Sequence, residues 1–393
     1  MSRKRKIFWS FVVSAGMLVF SYWVTNLQIP ISGEKEVISM FEAVRGSIYE
    51  HRDTVGSNVI LIDVDYDKQL ITKTDECYKT LGEAYPVTDR SKLTRLLEAL
   101  RKKKDYAYVL LDVSFENGEE TDADSALYAT ISSMKCIVIP CDSLKALPDT
   151  CLYKKAGLAY YQVTPIESDF VKYPYLSKQK TSIKDTTLAS MPLRMYEDIT
   201  KRHIKKFGPI YWDGWLARSS IVLNLNYKPI KWRNLGVDFL YNNEIEKLPT
   251  KNKYIIIGSS KNDLHPTYID RISGAIINFN AYLALINHHH IVSPTLMLLL
   301  FVSFFIFSYL ILSKKKLSES ISMIGPYQNK WLRLTQRILV ALCSWIGFSA
   351  YLMILCILTY VFLDEVYDIF ITSTMFYVFN LIVKLSDYLN YGK

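Results

Sequence analysis

The chain has 393 residues, half of them hydrophobic, and a mean hydropathy of +0.09. That is high for a soluble domain and low for a pure membrane bundle, so both extremes are excluded in favour of membrane spans joined to one sizeable soluble region. The net charge of +9 gathers beside apolar runs, at Arg3, Lys4, Arg5 and Lys6 and at Lys314, Lys315 and Lys316. Such placement marks charge that meets the headgroups of the lipid bilayer, and it argues against a nucleic-acid partner.

In chain order, residues 1–6 form a basic, cytoplasmic N-terminus, and residues 7–27 form a first transmembrane helix. The stretch Tyr22-Trp23-Val24-Thr25-Asn26 offers no small-x-small cleavage site, so this run reads as a signal anchor. Residues 28–290 are then exported, about 260 residues and enough for a buried core. They open with a helix over 34–51, in which Val37, Ile38, Phe41, Val44 and Ile48 recur at helical spacing. Residues 58–65 (NVILIDVD) read as a buried strand ending in Asp63 and Asp65. A turn-rich stretch leads to Tyr85-Pro86, where Thr88 or Asp89 can cap a helix carrying Leu93, Leu96, Leu97 and Leu100. Residues 106–113 (YAYVLLDV) form a second buried strand, ending near Asp112. Strand, crossover helix and strand imply parallel pairing. A helix over 123–133 and a strand over 136–140 follow, whereas 142–185 yields no assignable element. Further on come a helix over 188–201, strands over 220–226 and 254–258, and a helix over 274–287.

A second span covers 291–313, followed by a basic cytoplasmic loop over 314–337 in which Lys314, Lys315, Lys316, Lys330, Arg333 and Arg337 face only Glu319. A third span over 338–363, an acidic connection (Asp364, Glu365, Asp368), a fourth span over 366–385 and a tail over 386–393 complete the chain. Basic residues in the N-terminus and the 314–337 loop put both in the cytoplasm. The expected architecture is an α/β extracytoplasmic domain with a mostly parallel central sheet, plus four transmembrane α-helices.

Several segments in this order resemble the type 2 CHASE domain, an extracytoplasmic sensory module of bacterial signalling proteins. They are VILIDVDYD (59–67), YPVTDRSKLTRLLEALRKKKDYAYVLLDVSFENGEETDADSAL (85–127), LASMPLRMYE (188–197), IVLNLNY (221–227) and IIIGSSKNDLHPTYIDRISGAIINFNAYLALI (255–286). One helix before and three after match the family layout. The chain departs from it at Lys102-Lys103-Lys104-Asp105, where the family has a small-residue turn, and at Ile272-Ser273-Gly274, which replaces a proline-glycine approach. The resemblance implies a sensory protein of the bacterial inner membrane, with no enzymatic activity and no cofactor. Family members often continue into a kinase or cyclase, whereas about ten residues follow the fourth span here. The expectation is relay to a separate membrane or cytoplasmic signalling partner, touched by Lys314, Lys315, Lys316, Arg333 and Arg337, with a homodimer allowed. A docking subunit of a membrane assembly and an exported metal-dependent phosphohydrolase are the alternatives.

Candidate ligand-binding residues are Asp63, Asp65, Asp112, Gly258, Ser259, Asp263 and His265. Asp63-Val64-Asp65 has the spacing of the haloacid-dehalogenase phosphotransfer pair, but Tyr66 stands where that family has Thr or Val, and no glycine-aspartate metal motif follows. The three aspartates could converge at the carboxyl edge of a parallel sheet, where such folds bind ligands, or they could merely cap loops. Gly258-Ser259-Ser260 after a strand could cradle an anion or simply turn the chain. The acidic stretch Glu116, Glu119, Glu120, Asp122 and Asp124 lacks EF-hand spacing and reads as a solvated loop with a helix cap. His288, His289 and His290 read as interfacial polar residues able to respond to acid. Of the cysteines, Cys77, Cys136, Cys141 and Cys151 are exported. Cys141 and Cys151, flanking Pro148, are the preferred disulfide, with free thiols the alternative. No CxxC, Cys/His metal spacing, P-loop, Rossmann fingerprint or nucleophile elbow is present.

Overall fold

The computed structural model describes residues 2–26, 34–48, 58–74, 81–115, 121–143, 147–159, 172–180, 185–222, 232–236, 246–267, 270–313, 330–363, 365, 372–379 and 382. Helix α1 (Arg3–Thr25) is followed by α2 (Glu34–Ile48), β1 (Val59–Asp63), β2 (Lys68–Thr74), β3 (Leu81–Thr88), α3 (Arg90–Lys103), β4 (Tyr108–Leu111), α4 (Asp124–Ser133) and β5 (Ile137–Cys141). A 3-10 turn (Thr150–Leu152) precedes β6 (Ala156–Leu158), β7 (Lys172–Pro174), β8 (Leu176–Lys180), β9 (Asp185–Ala189) and α5 (Met191–Thr200). Next come β10 (Lys205–Phe207), β11 (Ile210–Trp212), β12 (Leu216–Ala217), β13 (Ser220–Val222), β14 (Arg233–Asn234), β15 (Tyr254–Gly258), β16 (Leu264–Pro266) and β17 (Arg271–Ser273). Helices α6 (Gly274–Ile286), α7 (Pro294–Leu312) and α8 (Lys330–Leu363) follow, and residues 372–379 are helical again.

The runs VILID, YVLL, IVIPC and YIIIG carry apolar side chains at successive positions, which suits strands covered on both faces. They form a sheet of order β14-β1-β15-β4-β5-β6, and every neighbouring pair in it is parallel. Ile60, Ile62, Val109, Leu111, Ile255 and Ile257 point to one face, against Leu93, Leu96, Leu97 and Leu100 of α3 and Leu127 and Ile131 of α4. Leu61, Tyr108, Leu110, Val138 and Ile256 point to the other, against Met191, Leu193 and Met195 of α5 and Ile276, Ile277 and Phe279 of α6. The result is a three-layer α/β/α sandwich. Two glycines set the depth of the α5 and α6 layer. A Cβ on Gly157 would lie 2.6 Å from the Met191 Cα, and one on Gly258 would lie 2.9 Å from the Ala275 Cβ.

The 220–226 strand is present as β13 up to Val222, with the rest outside the described residues. It pairs antiparallel with β7 and lies outside the central sheet. The segment without expected elements contains β6, β7 and β8. The disulfide expectation is corrected: Cys141 and Cys151 are separate free thiols. Cys141 ends β5 opposite Leu158 at the carboxyl end of β6. Cys151 precedes β6, its Sγ 3.9 Å from the Tyr128 carbonyl of α4. Parallel pairing makes the intervening chain return to the amino end, so the sulfurs sit at opposite ends of the strand pair, and a bridge needs Cα atoms about 4.4–6.8 Å apart.

Three helices among the described residues are long and apolar enough to cross a membrane: Arg3–Thr25, Pro294–Leu312 and Trp345–Leu363. The expected fourth span lies mostly outside the described residues. The 314–337 loop is shorter than expected, because α8 is continuous from Lys330 and carries Arg333 and Arg337 on its first turns. Lys314, Lys315 and Lys316 lie outside the described residues. Met17 of α1, Leu300 and Phe304 of α7, Phe348 and Leu352 of α8 and Phe376 share one apolar cluster. Helix α2 joins that cluster to the sandwich, since Phe41 is buried in it and Ile38, one turn earlier, is buried in the α5 and α6 layer.

Candidate functional site

The carboxylates that end β1 meet the turn that follows β15. Asp63 accepts hydrogen bonds from the backbone N–H of Asp65 (3.0 Å) and from the Ser260 hydroxyl (2.7 Å). Asp65 accepts from the N–H groups of Ser260 (2.9 Å) and Lys261 (2.7 Å), from Ser259 Oγ (2.5 Å) and from Asn262 Nδ2 (3.0 Å). Burial alone pushes Asp65 upward, but the bonds from Ser259, the Lys261 N–H and Ser260 outweigh it and hold the carboxyl below its ordinary value. The turn after Gly258 opens no helix, and its backbone N–H groups at Ser260 and Lys261 are taken by the chain's own Asp65. Both aspartates are almost fully buried. They act as braces between β1 and β15 and do not present a free phosphotransfer pair.

Asp112 is placed differently. It follows β4, keeps part of its surface open to a cleft of about 430 Å³, and donates its backbone N–H to the Ile257 carbonyl (2.7 Å). The cleft lies along the carboxyl edge of the sheet, where ligands of parallel α/β folds bind, and its volume falls in the usual range for small molecules. Its polar lining includes Lys68, Thr88, Arg90, Asp112, Asp142 and Asp263, over an apolar wall of Val64, Val113, Phe115 and Leu147. Burial, reinforced by the nearby Asp263 carboxylate, raises Asp112 to about 7. Asn278 of α6 donates to Asp112 (3.3 Å) and accepts from the buried Tyr173 hydroxyl (2.6 Å). His265 Nε2 lies 2.8 Å from Asp263 Oδ1 at the cleft margin. Of the expected ligand residues, Asp112, Ser259 and Asp263 line the cleft. His265 reaches it only through Asp263, and Asp63, Asp65 and Gly258 stand behind its wall.

A family model, the CHASE2 domain, matches residues 17–313. The chain belongs to the CHASE2 family. The family is one of sensory domains. No curated protein and no solved structure matches the chain.

The CHASE2 match begins within α1 and ends just past α7, so the end of α1 and the whole of α7 belong to the matched unit. Where they meet the sandwich, a polar junction forms. Tyr22 of α1 donates its hydroxyl proton to the Ala217 carbonyl (2.9 Å) and accepts from the Tyr211 N–H (3.1 Å). The Asn26 carboxamide oxygen accepts from the Ser219 N–H (2.6 Å). Arg218 pairs with Glu365 at 2.7 Å, with side-chain exposures of only 8% and 4%. Glu365 also accepts the Ser293 N–H that opens α7 (2.9 Å). Behind this pair, Asp213 accepts from Tyr196 (2.7 Å) and from His290 Nε2 (2.9 Å).

This arrangement corrects the histidine reading at His290, whereas His288 is exposed and His289 half-buried. Helix α6 ends at Ile286 and His288 turns the chain with φ of 62°, so the three histidines leave the helix. His290 is fully buried, and burial lowers its basicity despite the Asp213 carboxylate. Of the acidic stretch, Glu116, Glu119 and Glu120 lie outside the described residues. Asp124 accepts from the Thr121 N–H (3.0 Å) and approaches Arg90 Nε at 3.6 Å. Reading the sequence did not find Arg90, although a signal was there. A cation in the first turn of a helix opposes the macrodipole, which asks for a compensating partner. That partner set is Asp124, the Ser114 carbonyl (3.3 Å) and the Phe115 ring (4.7 Å). Asn278 had no signal in the sequence, because its role depends on how α6 packs.

Proposed function

We propose that the chain is a membrane-anchored extracytoplasmic sensor that reads a polar small molecule in the cleft and relays its binding, through the spans, to a separate partner. The supporting observation is the course of α6. Near its start, Asn278 contacts Asp112 on the cleft floor. Past its end, the His290 carbonyl accepts the Arg218 N–H (2.8 Å) within the span junction. From Asn278 to Ile286 is eight residues, about 12 Å of helix. A ligand that prefers one position of α6 therefore acts on the span ends as well. Lys68 together with Asp112, Asp142 and Asp263 in the cleft lining suits a ligand that both donates and accepts hydrogen bonds. Basic residues beyond the far ends of the spans support an extracytoplasmic sandwich. They also make the 314–337 segment the partner-contact surface, through Lys314, Lys315, Lys316, Arg333 and Arg337, either directly or within a homodimer.

The test is to isolate the full chain in lipid nanodiscs and identify retained small molecules by mass spectrometry, beside the variants Lys68→Ala and Asp263→Ala. The expected result is a low-mass compound retained by the native chain, lost from both variants, whose return slows amide exchange at Ser219 and Val292. A native chain that retains no such compound, or variants that hold the same set, would sink the reading.

A further inference from the structure

The hairpin of β10 and β11 carries two unlike faces. Lys205 pairs with Trp212, Lys206 with Tyr211 and Phe207 with Ile210, so alternation puts Lys205, Phe207, Ile210 and Trp212 on one side and Lys206 and Tyr211 on the other. Tyr211 enters the α5 and α6 layer of the core. Among the described residues the opposite side is left open: Phe207 is 60% exposed, Ile210 41%, Trp212 39% and the neighbouring Trp215 42%. The two tryptophan rings lie 6.3 Å apart and form one aromatic plate. Gly208, with φ of 60°, precedes Pro209 in the two-residue turn, which is the arrangement of a tight hairpin and fixes the register of the two strands. A contiguous apolar face of this kind marks an interaction surface.

Its position says what covers it. The Tyr211 N–H sits on the Tyr22 hydroxyl, within the last turn of α1. The strand after the hairpin pairs at Ala217 with Ile291, three residues before α7. The plate is thus continuous with the ends of two spans, at the level where Trp and Tyr concentrate in membrane proteins. Its surroundings are cationic: Lys201, Arg202, Lys205 and Lys206 are all exposed, with no acidic residue from 201 to 210. We infer that the β10 and β11 hairpin is a membrane-surface foot, its aromatic plate seated in the interface of the bilayer the chain spans and Lys205 on anionic phospholipid headgroups. Apolar burial and headgroup attraction reinforce each other in such contacts. The foot fixes the distance between the sandwich and the bilayer, so that lipid charge acts directly on the strand that leads into the span junction. This holds whatever the cleft binds.

The full chain in nanodiscs tests it through tryptophan emission. The difference between the native chain and the double variant Trp212→Phe, Trp215→Phe isolates the plate from the other five tryptophans. Seating in the bilayer predicts that most of this difference emission is quenched by phospholipid carrying a nitroxide on its acyl chain and little of it by aqueous iodide. Quenching by iodide alone overturns the inference in favour of a solvated plate. Quenching by neither overturns it in favour of a protein partner, including a second copy. Amide exchange supplies an independent measurement on a folded variant. Exchange over 205–212 should slow several-fold when phosphatidylglycerol replaces phosphatidylcholine, and Lys205→Glu should abolish that difference. Equal exchange in the two lipids overturns the headgroup contact.

Discussion

Replacing Arg218 with Met gives the sharpest test of the span junction. The guanidinium and the Glu365 carboxylate meet at 2.7 Å with exposures of 8% and 4%, so neither charge is screened by water. Removing one member of a buried pair strands the other and costs about 3–5 kcal/mol, against about 0–1 kcal/mol for an exposed pair. Arg218→Met leaves Glu365 with the Ser293 N–H as its remaining charge-stabilising donor among the bonds described above. The double variant Arg218→Met, Glu365→Leu removes both charges and leaves that N–H without its acceptor, a cost of about 1–3 kcal/mol. The double variant should therefore be more stable than either single one. At roughly 2–4 °C per kcal/mol for a unit of this size, each single substitution lowers the melting temperature by about 6–20 °C. Melting of the full chain in nanodiscs, with amide exchange at Ser219 and Ser293 as the local readout, measures the cycle. Single costs below about 1 kcal/mol, or costs that simply add in the double variant, would refute a coupled buried pair.

Two further outcomes follow from the packing and the charges. Gly157→Ala should cost about 1–3 kcal/mol by overpacking, because a Cβ there meets the Met191 backbone at 2.6 Å and backbone does not rotate away; a thermal melt within 1 °C of the native chain would contradict it. Asp112 and Asp65 should titrate stability with opposite signs. Asp112, raised to about 7, holds a proton in the folded chain that the unfolded chain has lost above ~4, so stability falls as pH rises from about 4 to 7. Asp65, held below its ordinary value, contributes stability that is present above ~4 and lost as the pH drops through its folded pKa. Denaturant unfolding between pH 3 and 8 should show the first slope vanish in Asp112→Asn and the acid limb shrink in Asp65→Asn. An unchanged slope in Asp112→Asn would count against its neutral form on the cleft floor.

The central strands were legible because parallel strands buried on both faces read as unbroken apolar runs, and VILID, YVLL, IVIPC and YIIIG all do. The sheet edges were not: β6 and β14 have three and two residues, too few to show a period. The place of β15 was equally hidden. It is the last of these strands in sequence yet lies between β1 and β4, and apolar runs carry no information about neighbour order. The same gap governs the site. Each carboxylate at a strand end was visible, but whether it opens to a ligand or closes on the chain depends on a partner 166 or more residues away. Asp63 and Asp65 close on Ser259 and Ser260, whereas Asp112, two strands across the sheet from β1, faces the cleft. The Arg218 and Glu365 contact spans 147 residues, and from the sequence Glu365 is one of several acids beside a span.

The junction also constrains how relay can work. Tyr22 and Asn26 tie the end of α1 to Ala217 and Ser219. The Val292 N–H ties the approach to α7 to Leu216 (2.9 Å), and Glu365, just past α8, holds both Arg218 and Ser293. Three span ends are thus fixed to one four-residue stretch, 216–219. A piston-like slide of α1 against α7 by a single residue, about 1.5 Å, would break the Tyr22 and Asn26 bonds together. Each buried group so stranded costs about 1–3 kcal/mol, comparable to the 1–3 kcal/mol typical of coupling between sites. A tilt of the stretch as a unit breaks none of them. On the proposed reading, relay from the cleft would therefore take the form of a concerted tilt of the span ends, with α6 as the lever and the 216–219 stretch as the plate they share. A disulfide engineered across the halves of α1 and α7 remote from the sandwich, which blocks sliding and leaves tilting free, should leave the response of the proposed partner intact. Loss of response with that bridge closed, and its return on reduction, would show that the spans slide.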